Sequence, residues 1–127
     1  MSGLISFEFQ IGAFREGFDR VYLEDSTLYH EQPNHPDEPP QSLLVIEKVK
    51  LMENQINFFW NKLNELQVWN WKNDYFDPDV MDGTEWRLKI IRPEKSQLKV
   101  EGQNAYPDNF DDFLKLLNSY IKEELYK

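Results

Sequence analysis

Residues 84–117 read TEWRLKIIRPEKSQLKVEGQNAYPDNFDDFLKLL. Trp86, Leu88 and Ile90 alternate with Glu85, Arg87 and Lys89, so one face of a strand is apolar and the other charged. PEKS makes a turn, and QLKVEG returns with Leu98 and Val100 inward, which is a hairpin. The last helix starts after Pro107, a residue that cannot donate a backbone hydrogen bond and suits a helix entry. Asp108 is the expected N-cap, its carboxylate accepting from first-turn amides. Asp111 and Asp112 follow near the positive end of the helix dipole. Phe110, Phe113, Leu114, Leu117, Ile121 and Leu125 form the stripe to be buried. Between hairpin and helix, Gly102, Asn104 and Tyr106 each have a local use. Glycine permits a close backbone approach, asparagine satisfies turn amides, and tyrosine packs a ring. The stretch therefore reads as joinery, with a ligand-binding turn as the alternative.

Working back towards the N-terminus, LISFEFQIGAF sets Ile5, Phe7, Phe9 and Ile11 on one strand face. FDRVYLED and TLYHEQ follow, giving a three-stranded meander with a turn at GAFREG. PNHPDEPP holds four prolines in eight residues and is a loop. SLLVIEKVKL is ambiguous. Its β-branched residues favour a strand, yet Val45, Val49, Met52, Ile56, Phe59, Leu63 and Leu66 step as a helical stripe. Splitting it gives a strand over 43–50 and a helix over 52–66. VWNWKNDYFDPDVMDG then forms an aromatic and acidic connection ending in an Asp82-Gly83 turn. The expected architecture is α+β: an antiparallel sheet, made of the N-terminal meander plus the C-terminal hairpin, with two helices packed on one face. Residues 1–127 are read as a single domain, a length that one core accommodates.

Of the 127 residues, 40% are hydrophobic and 15% aromatic, enough for a core built on large rings. The formal net charge is −9, which repels nucleic-acid phosphates and anionic membranes. Neither is expected as a partner. The charge favours solubility and steers a basic partner. There is no cysteine, which excludes disulfides, thiolate nucleophiles and Cys-based zinc sites and fits a reducing cytoplasm. The first ten residues lack a basic n-region and an apolar h-region, so no signal peptide is expected.

Motifs for chemistry are scarce. Asp74, Asp77, Asp79 and Asp82 form an acidic run, but a calcium loop beginning at Asp77 fails at Met81, Asp82 and Leu88. His30 and His35 have no motif partners and read as surface or edge residues. With five glycines, neither G-x-G-x-x-G nor a P-loop occurs. No cofactor and no catalytic residue is expected. The aromatics stand out. Trp69 and Trp71 are two apart and would share a face in an extended segment. Trp60 lies off the helical stripe and is the ring expected to be exposed. Interfaces favour Trp and Tyr anchors among polar residues. The candidate binding residues are therefore Trp60, Trp69, Trp71, Tyr75 and Tyr106, with the acids Asp77, Asp79 and Asp82.

Trp69, Trp71, Tyr75, Asp82, Gly83, Trp86, Gly102, Asn104, Ala105, Tyr106 and Pro107 spell W-x-W, then Y, then D-G-x-x-W, then G-x-N-A-Y-P. The chain resembles, over its second half, small bacterial proteins of unknown activity that carry this pattern. The resemblance implies a shared α+β fold and brings no catalytic residue. In size and charge the chain is also similar to immunity proteins that neutralise toxins, an analogy only. The leading expectation is a non-enzymatic protein-binding domain of the bacterial cytoplasm. The alternative is a small-molecule-binding or hydrolytic domain with a pocket near Trp69, Tyr75, Asp82 and Tyr106. A structural subunit would instead carry a broad apolar patch on the sheet's open face.

Overall fold

The computed structural model describes residues 5–13, 17–33, 43–78, 83–92 and 95–121. Among these residues seven strands form one sheet: β1 (Ile5–Ala13), β2 (Gly17–Glu24), β3 (Thr27–Pro33), β4 (Leu43–Lys50), β5 (Asp74–Phe76), β6 (Thr84–Arg92) and β7 (Lys95–Gln103). Their order is β4-β3-β2-β1-β6-β7-β5. Helices α1 (Glu53–Glu65) and α2 (Phe110–Asn118) supply the second layer. The α+β expectation holds, with the meander and the hairpin joined along β1 and β6.

Alternation decides which face is covered. Phe7, Phe9 and Ile11 of β1 lie opposite Ile90, Leu88 and Trp86 of β6. All six are buried. Phe59 of α1 meets Phe7 edge-on at 5.0 Å, and Phe113 of α2 meets Phe9 at 4.9 Å. Such pairs add about 0.5–1.5 kcal/mol each beyond the area they bury. The split at 43–50 and 52–66 is also the one observed. A glutamine carries the helix start: the Met52 backbone N–H donates to Gln55 Oε1 at 2.8 Å, closing the first turn without a Ser or Thr cap. Met52, placed on the buried stripe by periodicity, is 70% exposed.

The opposite face of the sheet has no helix over it among the described residues. It carries Glu8, Gln10, Arg20, Arg87, Lys89, Lys99 and Glu101, so an ionic surface replaces the apolar patch that a structural subunit would need.

Three expectations are corrected. β5 was not anticipated: Asp74–Phe76 pairs parallel to β7 and ends the sheet. A three-residue strand gives no readable period. Trp69 and Trp71 do not share an extended segment, because Val68–Asn70 is a 3₁₀ turn entered through Gln67 at φ 55°. Asp108 is not the N-cap of α2. Asn109 holds that position but makes no side-chain cap. Its amide is used elsewhere: Nδ2 donates to the Leu66 carbonyl at 2.6 Å, and Oδ1 accepts from Trp71 Nε1 at 3.1 Å. One side chain thus ties the end of α1, the 3₁₀ turn and the start of α2. The turns at 14–16 and 93–94, the loop 34–42, Leu125 and the Asp82 half of the Asp-Gly turn lie outside the described residues.

Gly102 and Asn104 now have their reasons. Gly102 sits opposite Trp86, and a Cβ there would lie 1.9 Å from the indole nitrogen. The ring lies across bare backbone and donates to the Ala105 carbonyl at 3.0 Å. Asn104 takes φ 61°, a conformation Asn tolerates better than most residues, and its N–H donates to the Thr84 carbonyl at 2.9 Å. Replacing Gly102 by Ala is expected to destabilise the fold by about 1–3 kcal/mol through overpacking, measured by urea unfolding. Asn109→Ala is expected to cost about 1–3 kcal/mol by stranding an indole N–H and a carbonyl. Asn109→Asp, which keeps the acceptor for Trp71 but not the donor for Leu66, should fall between the Ala variant and wild type.

Candidate binding surface

The ring cluster comes first, because it holds three of the five aromatic candidates read from the sequence. Trp71, Tyr75 and Tyr106 converge on Trp86 at ring separations of 6.0, 5.8 and 6.5 Å. Phe110 closes the group, 4.8 Å from Trp86 and 4.9 Å from Tyr106. Tyr75 stands opposite Gly102, and its hydroxyl accepts from the Lys72 backbone N–H at 3.1 Å. Tyr106 is 37% exposed, the outermost ring of the stack. Trp69 lies apart and donates to Asn64 Oδ1 at 2.7 Å. Trp60 is half-buried rather than exposed, packed edge-on to Phe59 at 5.5 Å and to Phe7 at 6.5 Å. The exposed ring of α1 is Phe58. Asp77 follows β5, and its N–H donates to the Gln103 carbonyl at 3.1 Å. Asp79 and Asp82 lie outside the described residues.

The reverse side of the same three strands forms a hollow of about 310 Å³. Asp74, Phe76, Glu85, Arg87, Glu101 and Gln103 line it with side chains on the open face. Asp74 and Glu101 are directly opposed across β5 and β7, an arrangement of like charges that costs stability. The one cation of the group, Arg87, has its Nε 3.9 Å from Glu101, with both side chains mostly exposed. Such a pair contributes little. Among the described residues, neither Asp74 nor Glu85 has an ion-pair partner. Phe76 is 58% exposed beside them. Three under-neutralised carboxylates and an open ring suit an organic cation, held by charge and by the ring's π face. They do not converge as metal ligands: no group of three or more His, Asp or Glu among the described residues is placed to hold a metal ion.

Sequence reasoning reached half of this hollow. The alternation of TEWRLKIIR puts Glu85 and Arg87 outward, and Asp74 belongs to the acidic run. Phe76 carried no signal, because only the unforeseen pairing of β5 turns it to this side.

A second ionic group lies further along the open face and is internally balanced. Arg20 bridges Glu8 and Glu31, at 2.6 Å from Nε to Glu8 and 2.9 Å from Nη1 to Glu31. Burial works to depress its pKa, but hydrogen bonds and charges from Glu31 and Glu8 outweigh this and raise it. The guanidinium also sits 4.2 Å over the Tyr22 ring, which stacks on Tyr29 at 4.9 Å. On the covered face, His30 corrects the surface assignment. It is fully buried, with Nε2 3.0 Å from Asp19 Oδ1, which also accepts from Gln32 at 2.7 Å. His30 lies opposite Val21 in register, on the inward side of β3.

Compared with family models and with curated proteins, the chain matches none. No helix among the described residues is long and apolar enough to cross a membrane.

Burial, then the charge of Glu31 and the hydrogen bond to it, push the Tyr22 hydroxyl up to about 12 from 10.0. The folded state therefore holds this proton where the unfolded chain releases it. Stability is fully present below pH 10 and declines as the pH rises towards about 12. An ultraviolet tyrosinate titration should show a late component that loses one tyrosine in Tyr22→Phe, the remainder belonging to Tyr120, whose hydroxyl burial also pushes up.

Proposed function

We propose that this protein is a non-enzymatic binding domain of the cytoplasm that engages a protein with a basic surface, in the manner of an immunity protein neutralising a toxin. The observation that carries the reading is the hollow of Asp74, Glu85 and Glu101 beside Phe76. Asp74 and Glu85 have no ion-pair partner among the described residues, and Glu101 has only the long, exposed contact with Arg87, so a lysine or arginine from a partner gains a cation site at little cost in existing pairing. The chain's net charge of −9 adds long-range attraction for a basic protein and repulsion for nucleic acid. The alternative of a small-molecule pocket near Trp69, Tyr75, Asp82 and Tyr106 has less support. Tyr75 and Tyr106 pack against Trp86, and the indole N–H of Trp69 is occupied by Asn64.

The test is affinity capture from the native host extract at low salt, with wild type beside a triple variant, Asp74→Asn, Glu85→Gln and Glu101→Gln. Wild type should retain a basic protein that high salt releases. The triple variant should bind it at least about tenfold more weakly. An immunity role further requires that the captured protein arrest growth when expressed alone. If wild type retains nothing, or the triple variant retains the same protein equally well, the reading fails.

A further inference from the structure

The two edges of the sheet are unlike. An edge strand presents a row of unpaired backbone N–H and C=O groups, and proteins blunt such rows with short strands, charges or prolines. β5 is blunted by its three-residue length and the exposed Asp74. β4 is eight residues long and, among the described residues, pairs on one side only, with β3. Its first four residues, Leu43 to Ile46, include no charge and no proline. Val45 and Ile46 are 41% and 44% exposed.

A bulge in β4 sets its facing. The register passes from His30 opposite Glu47 to Glu31 opposite Val45, leaving Ile46 as the extra residue. Lys50, Lys48 and Val45 pair with Thr27, Tyr29 and Glu31, which places them on the open face. Val49 and Glu47 pair with Leu28 and His30, on the helix side.

We propose that β4 pairs antiparallel with β4 of a second copy, over its full length, about a two-fold axis perpendicular to the sheet. In that register Leu43 stands opposite Lys50, Leu44 opposite Val49, Val45 opposite Lys48 and Ile46 opposite Glu47. Directly opposed residues of an antiparallel pair must share a face. In a regular strand, full overlap of eight residues would set open-face against helix-side positions. The bulge shifts the first half by one and removes that conflict, so the strand is complementary to itself. Charge supports the same occupant. Lys48 meets Val45, whose surface its methylene stem covers. Sliding one copy by a single residue would oppose Glu47 to Glu47, and by three, Lys48 to Lys48. The acidic hollows at β5 fall at the far ends of the joined sheet, where the self-repulsion of two −9 chains is least. The contact is isologous and closes as a dimer.

Sedimentation equilibrium of the full chain, from about 1 µM to about 200 µM, tests this. Wild type should approach twice its monomer mass. Val45→Lys places a lysine against Lys48 at both symmetric positions and should weaken the dimer at least about tenfold. Adding Lys48→Glu to that variant should restore the dimer by matching opposite charges. Val45 is exposed in the monomer, and circular dichroism checks that both variants fold. A wild type that stays monomeric throughout, a Val45→Lys variant that dimerises unchanged, or a double variant that stays monomeric overturns the proposal.

Discussion

The contact between Trp86 and the backbone at Gly102 organises one whole end of the molecule. A fully buried indole needs both a floor and a partner for its N–H. Gly102 supplies the floor by having no side chain, and the Ala105 carbonyl supplies the partner. The chain must therefore leave β7 in a turn that brings residue 105 back over the ring. Asn104 makes that turn with its positive φ. Tyr106 then lands on the outer side of the indole and Phe110 on its flank, which fixes where α2 begins. The motif-like run from Gly102 to Phe110 follows from burying one tryptophan at the end of a strand.

The same constraint shapes the far side of the sheet. Tyr75 packs near Trp86 from β5, so β5 is held beside β7 with Tyr75 facing inward. Period two then leaves Asp74 and Phe76 no choice but to face outward. The hollow and the ring cluster are thus opposite faces of one arrangement. The tryptophan packing supplies rigidity, and the outward residues supply charge. Asp74 is held directly against Glu101 in spite of like charge because the register is set from the other face.

Period and turn chemistry made most of the fold legible. The strand faces of β1, β6 and β7, the stripe of α1 apart from Met52 and that of α2 as far as Ile121 follow from spacing alone. What spacing missed has a common cause. Asn109 resembles any turn asparagine until Trp71 and Leu66 are brought to it from about forty positions away. Asp108 looked the better cap because capping is local, and the tertiary demand on Asn109 is not. β5 is too short for a period, so Phe76 gave no sign of its exposure. His30 is polar and shares a strand face with Leu28, yet the pattern alone does not say that Asp19 and Gln32 meet it inside. Of the candidate site, the acids were legible as composition, but their grouping into one hollow required the parallel pairing of β5.

The distribution of charge then carries the functional argument further than its total. Arg20 sits between two carboxylates, with its pKa raised by them, and a group so matched offers an incoming charge little. Asp74 and Glu85 have no such partner among the described residues, and Arg87 only loosely offsets Glu101. Sequence-level net charge weights these two groups alike, whereas solvation separates them. A satisfied network must be broken before it can bind, at a cost comparable to the new contact, whereas an under-neutralised one gains from the first cation that arrives. On the proposed reading a basic partner would therefore be selected at the β5 edge, and the matched charges around Arg20 would serve mainly to keep the open face wet.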